Sequence, residues 1–390
     1  MIELTPEQAA SLSSEVYALT KFPVLQDAIT HLNHKYGGNL SFYEENMLKG
    51  KTGGPGFIKV RTAFGFLLLG QNNLKGHAFI LFRGTQYLAD WLTNLNLTLS
   101  ASASGQPVHD GFNKAFQSML PQISVFVNGL PAGTRVHCLG HSLGGALATI
   151  AAEWVRKHTA HFPKLYSFGS PRVGLIGFSE QCTRLLSDDN IFRAYHRTDI
   201  VPCIPIWPFV HTPSTDRDFF LPSPGLVPWK TYHDMALYQD SVEDKSWEAI
   251  RAMRPAARTD SGVEAWLRSK AVIGQTMSAI EWLNDAIIYV VKKCMEFAGR
   301  VINFTATTYF TLMDQLAMVL NSGVKLLVGS VSLVALLVKK IMQFLGLKPI
   351  AESASITHDF LRNLLLKLSS RVNEISKQAL SATLAEGRGI

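Results

Sequence analysis

Up to about residue 244, short apolar runs of strand length alternate with longer stretches of helical period. "FGFLLLG" (64–70) and "HAFILFRG" (77–84) read as strands, and the polar "QNNLK" between them as a hairpin connection. "RVHCL" (135–139), "KLYSFGS" (164–170), "NIFRAYH" (190–196) and "RDFFL" (217–221) continue the series, separated by helical segments such as "GFSEQCTRLLS" (177–187). Such alternation predicts an α/β fold with a mostly parallel sheet flanked by helices. Functional loops are then expected at the carboxyl ends of the strands. At the start, Thr5, Pro6 and Gln8 spell a helix N-terminus with a capping box. Glu3 and Glu7 replace the basic-then-apolar order of a secretory signal, so the expectation is cytoplasmic synthesis, with any export by a signal-independent route.

The pattern changes after residue 244. Residues 1–244 carry 19 Lys+Arg against 19 Asp+Glu, whereas 245–390 carry 18 against 11, so the whole net charge of +7 lies in the C-terminal part. With "IRAMRPAARTDSG" at 250–262, this predicts a neutral domain over 1–244 and a basic, apolar helical region over 245–390. "VINFTATTYFTLM" (301–313) and "LLVGSVSLVALLV" (326–338) are uncharged, and 315–338 is interrupted only by Lys325. A spanning helix needs about 20 apolar residues, so three readings of 301–338 stand. It packs as a buried hairpin, docks on or inserts reversibly into a membrane with help from anionic lipid, or spans one with Lys339 and Lys340 as interfacial anchors. Nucleic-acid binding is excluded as a use of the charge, because the basic residues are interleaved with aliphatic ones and no recognition motif is present. Cys138, Cys182, Cys203 and Cys294 lack metal or disulfide spacing and read as buried thiols.

Chemistry concentrates in "CLGHSLGGALA" (138–148). Glycines two residues either side of Ser142 leave room for a sharp strand-to-helix turn, which presents the serine at the N-terminus of a helix of small residues. The order nucleophile, acid, histidine then directs the search downstream. Asp199, after the run 190–196 and before Pro202, is the favoured acid over Asp188, Asp189, Asp216 and Asp218. His233, beyond the last strand, is favoured as base over His211, which precedes that strand; His141 reads as packing. Oxyanion donors are expected from the Leu143 N–H and from the "RGT" turn, at Gly84 and Thr85.

These segments resemble the class 3, fungal-type lipase family of α/β-hydrolases. The matching stretches are "ILFRGTQYLADWLTNL", "VHDGFNKAF", "LGHSLGGALA", "YSFGSPRVG", "HRTDIVP" and "TYHDMALY", in the family's order. The resemblance implies Ser142 as nucleophile, Asp199 as acid, His233 as base, and Thr85 and Leu143 as oxyanion donors. It also implies a lid at 86–97, with Leu88, Trp91 and Leu92 meeting lipid. Family members carry a glycine and a glutamate shortly after the histidine equivalent to His211; this chain reads "FVHTPSTD" instead, and 245–390 has no counterpart. The implied activity is that of a serine lipase or phospholipase needing no metal or cofactor, with lipid or phospholipid as substrate and a membrane met through 245–390. The alternatives are a soluble carboxylesterase with a packing-only tail, and a hydrolase-like scaffold for a membrane-binding tail. Some bacterial relatives are exported to act on other cells' membranes, in which case a delivery or immunity partner exists that the sequence does not specify.

Overall fold

The computed structural model describes residues 3–52, 60–85, 98–215, 217–223, 233–298, 312–325, 327–328, 331–348 and 356–385. Helix α1 (Pro6–Glu15) opens with the expected capping box: the Gln8 N–H donates to Thr5 Oγ1, and the Thr5 N–H to Gln8 Oε1. Helices α2 (Ala18–Lys21) and α3 (Leu25–Tyr36) follow, then strands β1 (Met47–Thr52), β2 (Val60–Leu69) and β3 (His77–Phe82). A small hairpin, β4 (Leu99–Ala101) and β5 (Pro107–His109), leads into α4 (Asp110–Asn128). Next come β6 (Arg135–His141), α5 (Leu143–His158), β7 (Lys164–Phe168), α6 (Ile176–Leu186), β8 (Ile191–His196), β9 (Phe219–Leu221), α7 (Met235–Val242) and α8 (Trp247–Arg251).

One seven-stranded sheet runs in the order β1-β2-β3-β6-β7-β8-β9. The first three strands are antiparallel meanders, and every pairing from β3 onward is parallel. This is the mostly parallel α/β-hydrolase arrangement predicted from the strand-helix alternation.

Side chains of the parallel strands alternate between two buried cores, as a pleated strand requires. Ile80 and Phe82 face one core with α4, α5 and α6, while Phe79 and Leu81 face the other with α1, α3, α7 and α8. In β2 a bulge leaves Phe64 without a register partner, between the pairs Leu48–Gly65 and Lys49–Ala63. That extra residue lets Phe64 enter the first core while Phe66 and Leu68 enter the second.

Beyond the step in charge at residue 244, Trp247 and Ile250 still belong to the second core, and the Trp247 indole donates to Leu4 O at 2.9 Å. The C-terminal helices are α9 (Asp260–Arg268), α10 (Met277–Ala298), α11 (Leu312–Ser322), α12 (Leu333–Phe344) and α13 (His358–Ala385), with a short ribbon of β10 (Leu327–Val328) and β11 (Val331–Ser332). They pack on one another, and their apolar faces join the first core in one continuous cluster that runs from Leu48 to Ala379.

The 315–338 block is therefore divided between α11, the ribbon and the start of α12 rather than forming one long helix. Among the described residues no helix is long and apolar enough to cross a membrane. Residues 301–311 lie outside the described residues. Lys340 is not the interfacial anchor read from the sequence. It is 1% exposed, and its ammonium donates to Ser269 O, Ser269 Oγ and Ala271 O, each at 3.0 Å. Burial lowers its pKa, and the neighbouring Lys339 charge adds to the effect.

Candidate active site

Ser142 stands between β6 and α5 with φ 58° and ψ −130°, a conformation a non-glycine residue holds only when its surroundings impose it. The flanking glycines show how. A Cβ on Gly140 would lie 2.3 Å from the Gly144 main chain, and one on Gly144 would lie 2.3 Å from Phe82 O. The strand, the turn and the helix are thus in backbone contact, and the serine between them is held at its positive φ.

The structure brings Ser142, His233 and Asp199 into one hydrogen-bonded chain. His233 Nε2 lies 2.8 Å from Ser142 Oγ, and His233 Nδ1 lies 2.8 Å from Asp199 Oδ2. Asp199 follows β8 and His233 precedes α7, so both reach the elbow from beyond the carboxyl ends of strands. The carboxylate is held from both oxygens: Oδ1 accepts the Val201 N–H at 2.9 Å, and Oδ2 also accepts the Tyr238 hydroxyl at 2.7 Å. Burial, reinforced by the Asp199 charge, raises the Tyr238 pKa well above its ordinary value, so that this phenol remains a donor. Gly169, at φ +53°, makes room for the cluster, because a Cβ there would lie 2.7 Å from Asp199 Oδ2.

Of the positions named as oxyanion donors, Leu143 directly follows the serine, and Gly84, the residue before Thr85, packs against it. Leu143 is the first residue of α5, where main-chain N–H groups have no partner within the helix. Thr85 is buried directly after Gly84, and a Cβ on Gly84 would approach Ser142 Cβ to 3.0 Å. This turn is held by a residue that the sequence reading missed. Tyr17, buried between α1 and α2, accepts the Gly84 N–H at 2.9 Å and forms a 2.8 Å hydrogen bond with His141 Nδ1. His141 is accordingly a packing residue beneath the site, its ring centroid 4.5 Å from that of His233. Burial, then the neighbouring His233, keeps it neutral.

The rejected candidates also find their places. His211 lies outside the triad: its Nε2 accepts from Arg193 Nη2 at 3.1 Å and from Arg172 Nε at 3.4 Å. Burial and then the two guanidinium charges hold it neutral, which suits an acceptor. Asp218 lies outside the triad, buried and ion-paired with Arg193 at 2.7 Å and Arg254 at 2.5 Å. Asp188 accepts from Thr215, and Asp189 pairs with Arg217 at 2.8 Å, on the surface. Asp216 lies outside the described residues, as does the lid candidate 86–97 with Leu88, Trp91 and Leu92. All four cysteines are free thiols. Among the described residues no cluster of His, Cys, Asp or Glu has the arrangement of a metal site.

Ser142 is fully buried, and His233 and Asp199 are each 1% exposed.

Comparison with known proteins falls on this region. Residues 79–209 match the family described as Lipase (class 3). The chain is 32% identical over 148 residues to secreted mono- and diacylglycerol lipase 1 of Fusarium solani, a match covering 36% of this chain and 44% of that one. It is 27% identical over 260 residues to phospholipase A1-II 7 of Oryza sativa subsp. indica, covering 54% and 62%. Against toxin TseL of Vibrio cholerae serotype O1 it is 35% identical over 106 residues, covering 26% and 16%. The chain thus spans less than two thirds of the length of each of these relatives. Among solved structures, a nonglycosylated lipase of Yarrowia lipolytica aligns over 55% of this chain and 78% of its own, with 22% identity and a TM-score of 0.43. His233, Tyr17 and Tyr238 fall outside the matched family segment, so their place at the site rests on the geometry given above.

Proposed function

We propose, from the class 3 lipase family to which residues 79–209 belong and from the geometry at Ser142, that the protein is a serine carboxylic ester hydrolase acting on lipid, of lipase or phospholipase A type. One observation carries the reading: a single buried imidazole is hydrogen-bonded at 2.8 Å to the serine on one side and at 2.8 Å to a carboxylate on the other. His233 Nε2 takes the Ser142 proton as Oγ attacks the ester carbonyl. The oxyanion is received by the N–H groups of Leu143 and Thr85, and Asp199 holds the imidazolium through Nδ1. The tetrahedral intermediate collapses, the C–O bond to the alcohol breaks, and His233 returns its proton to the departing oxygen. Water, deprotonated by the same imidazole, then cleaves the acyl-serine to free acid.

Lipid is favoured as substrate by the relatives' printed activities, which are mono- and diacylglycerol lipase and phospholipase A1. The basic excess of 245–390 supplies attraction for an anionic membrane surface. A second reading, a soluble carboxylesterase with a packing-only tail, draws on the core shared by the C-terminal helices and the sheet. Hydrolysis of one ester followed through its critical micelle concentration separates the two. A rise of about tenfold or more on aggregation, enhanced by anionic lipid, is expected of the lipase; a smooth saturation curve with no gain would leave the soluble esterase.

A further inference from the structure

We propose that Asn284, on α10 of the C-terminal region, is a positioning residue for the reaction assigned above: it holds Arg172, and through Arg172 the loop that carries Asp199. This inference rests on that functional reading.

Arg172 lies in the loop after β7 and is 7% exposed. Its main-chain N–H donates to Ile204 O at 2.8 Å, and its Nη1 donates to Pro205 O at 3.2 Å. The same Nη1 donates to Asn284 Oδ1 at 2.7 Å, while Nε is directed at neutral His211 at 3.4 Å. Three of these four acceptors belong to the stretch of chain just after Asp199, and the fourth and closest side-chain acceptor belongs to the C-terminal region. Among the described residues no carboxylate lies within ion-pairing distance of Arg172. A buried guanidinium served only by uncharged acceptors needs each of them, because every lost bond leaves a desolvated charge short of a partner.

The consequence reaches the acid directly. The Val201 N–H that orients Asp199 Oδ1 lies three residues before Ile204, which is tied to Arg172. Ile200, Val201 and Ile204 share one buried cluster with Leu283 and Ile287, the apolar neighbours of Asn284 along α10. With the Asn284 carbonyl removed, the guanidinium turns toward other acceptors, and the Pro205 carbonyl bonded to the same Nη1 shifts with it, next to Ile204. Small displacements of a reacting group are costly in rate, of order a hundredfold for about 1 Å.

The test compares Asn284→Ala and Asn284→Asp in the full chain, on a soluble short-chain ester, with Ser142→Ala as the baseline. Asn284→Ala is expected to lower kcat roughly tenfold or more with KM changed by less than about twofold, since Asn284 lies outside the ester's reach. Asn284→Asp is expected to keep kcat near wild type, because a carboxylate oxygen accepts the same Arg172 bond. A structural role alone would lower the melting temperature and the active fraction of Asn284→Ala while leaving kcat per active site, counted by titration with an organophosphate, at the wild-type value. Folded Asn284→Ala with wild-type kcat would overturn the proposal, and so would equal losses in the two variants. Where Asn284→Ala does not fold, Asn284→Ser, too short to reach Arg172, serves in its place with the same two outcomes. Wild type no faster than Ser142→Ala would instead strike at the functional reading itself.

Discussion

Ser142→Ala lowers kcat for ester hydrolysis by about a million-fold, to the residual rate that binding and oxyanion donors sustain without a nucleophile. The fold survives the change. The Ser142 side chain is buried and its Oγ bonds to His233, so deletion removes one hydroxyl from the site and leaves the backbone contacts of Gly140 and Gly144 untouched. A melting temperature within a few degrees of wild type, together with loss of turnover, is the expected pair of results. Loss of both would mean that Ser142 serves the turn rather than the chemistry.

Asp199→Asn is the second large effect, with kcat expected to fall by about ten-thousandfold. The substitution preserves shape but converts one acceptor into a donor. With its NH2 on the Oδ1 side, the amide would oppose the Val201 N–H, donor against donor. With its NH2 on the Oδ2 side, it meets His233 Nδ1, which must then act as acceptor. The proton of the neutral imidazole moves to Nε2 and points at Ser142 Oγ, in the one tautomer that cannot accept the serine's proton. The Tyr238 hydroxyl, also bonded to Oδ2, turns to accept in that arrangement, so the cost falls mainly on rate. Steady-state kinetics on a soluble ester, read beside thermal melting, check both parts; a kcat within tenfold of wild type would remove Asp199 from the mechanism.

Local signals carried most of the site into the sequence. The elbow is legible because its constraint is local: Gly140 and Gly144 sit two residues from Ser142, where the strand and helix cross. Asp199 and His233 are favoured by chain order together with their places just beyond predicted strands, since a parallel sheet delivers the ends of successive strands to one edge. Tyr17 had no such signal. It meets Gly84 across 67 positions and His141 across 124, and nothing in "SEVYALT" marks a tyrosine that will reach a distant turn. Tyr238 was nearer to hand, five residues beyond His233 on the following helix, but its hydroxyl is aimed by tertiary packing. The same limit explains the C-terminal region. A hydrophobic run of fixed composition reads alike in a membrane and in a core, and what decides is whether other elements cover it. Here α12 is buried by its neighbours, and even Lys340 is taken inside because the 269–271 carbonyls converge on its ammonium. The charge step at 244 located a change in surface composition, while the apolar contacts run straight across it.

Covalent labelling tests the central claim most directly. The wild-type chain, presented with an ester-mimicking organophosphate in mixed micelles, is analysed by intact mass and peptide mapping. One adduct per chain, on the peptide containing Ser142, lost in Ser142→Ala and strongly slowed in His233→Ala, is the result predicted. An adduct on another residue, or undiminished ester hydrolysis by a chain fully labelled at Ser142, would contradict it.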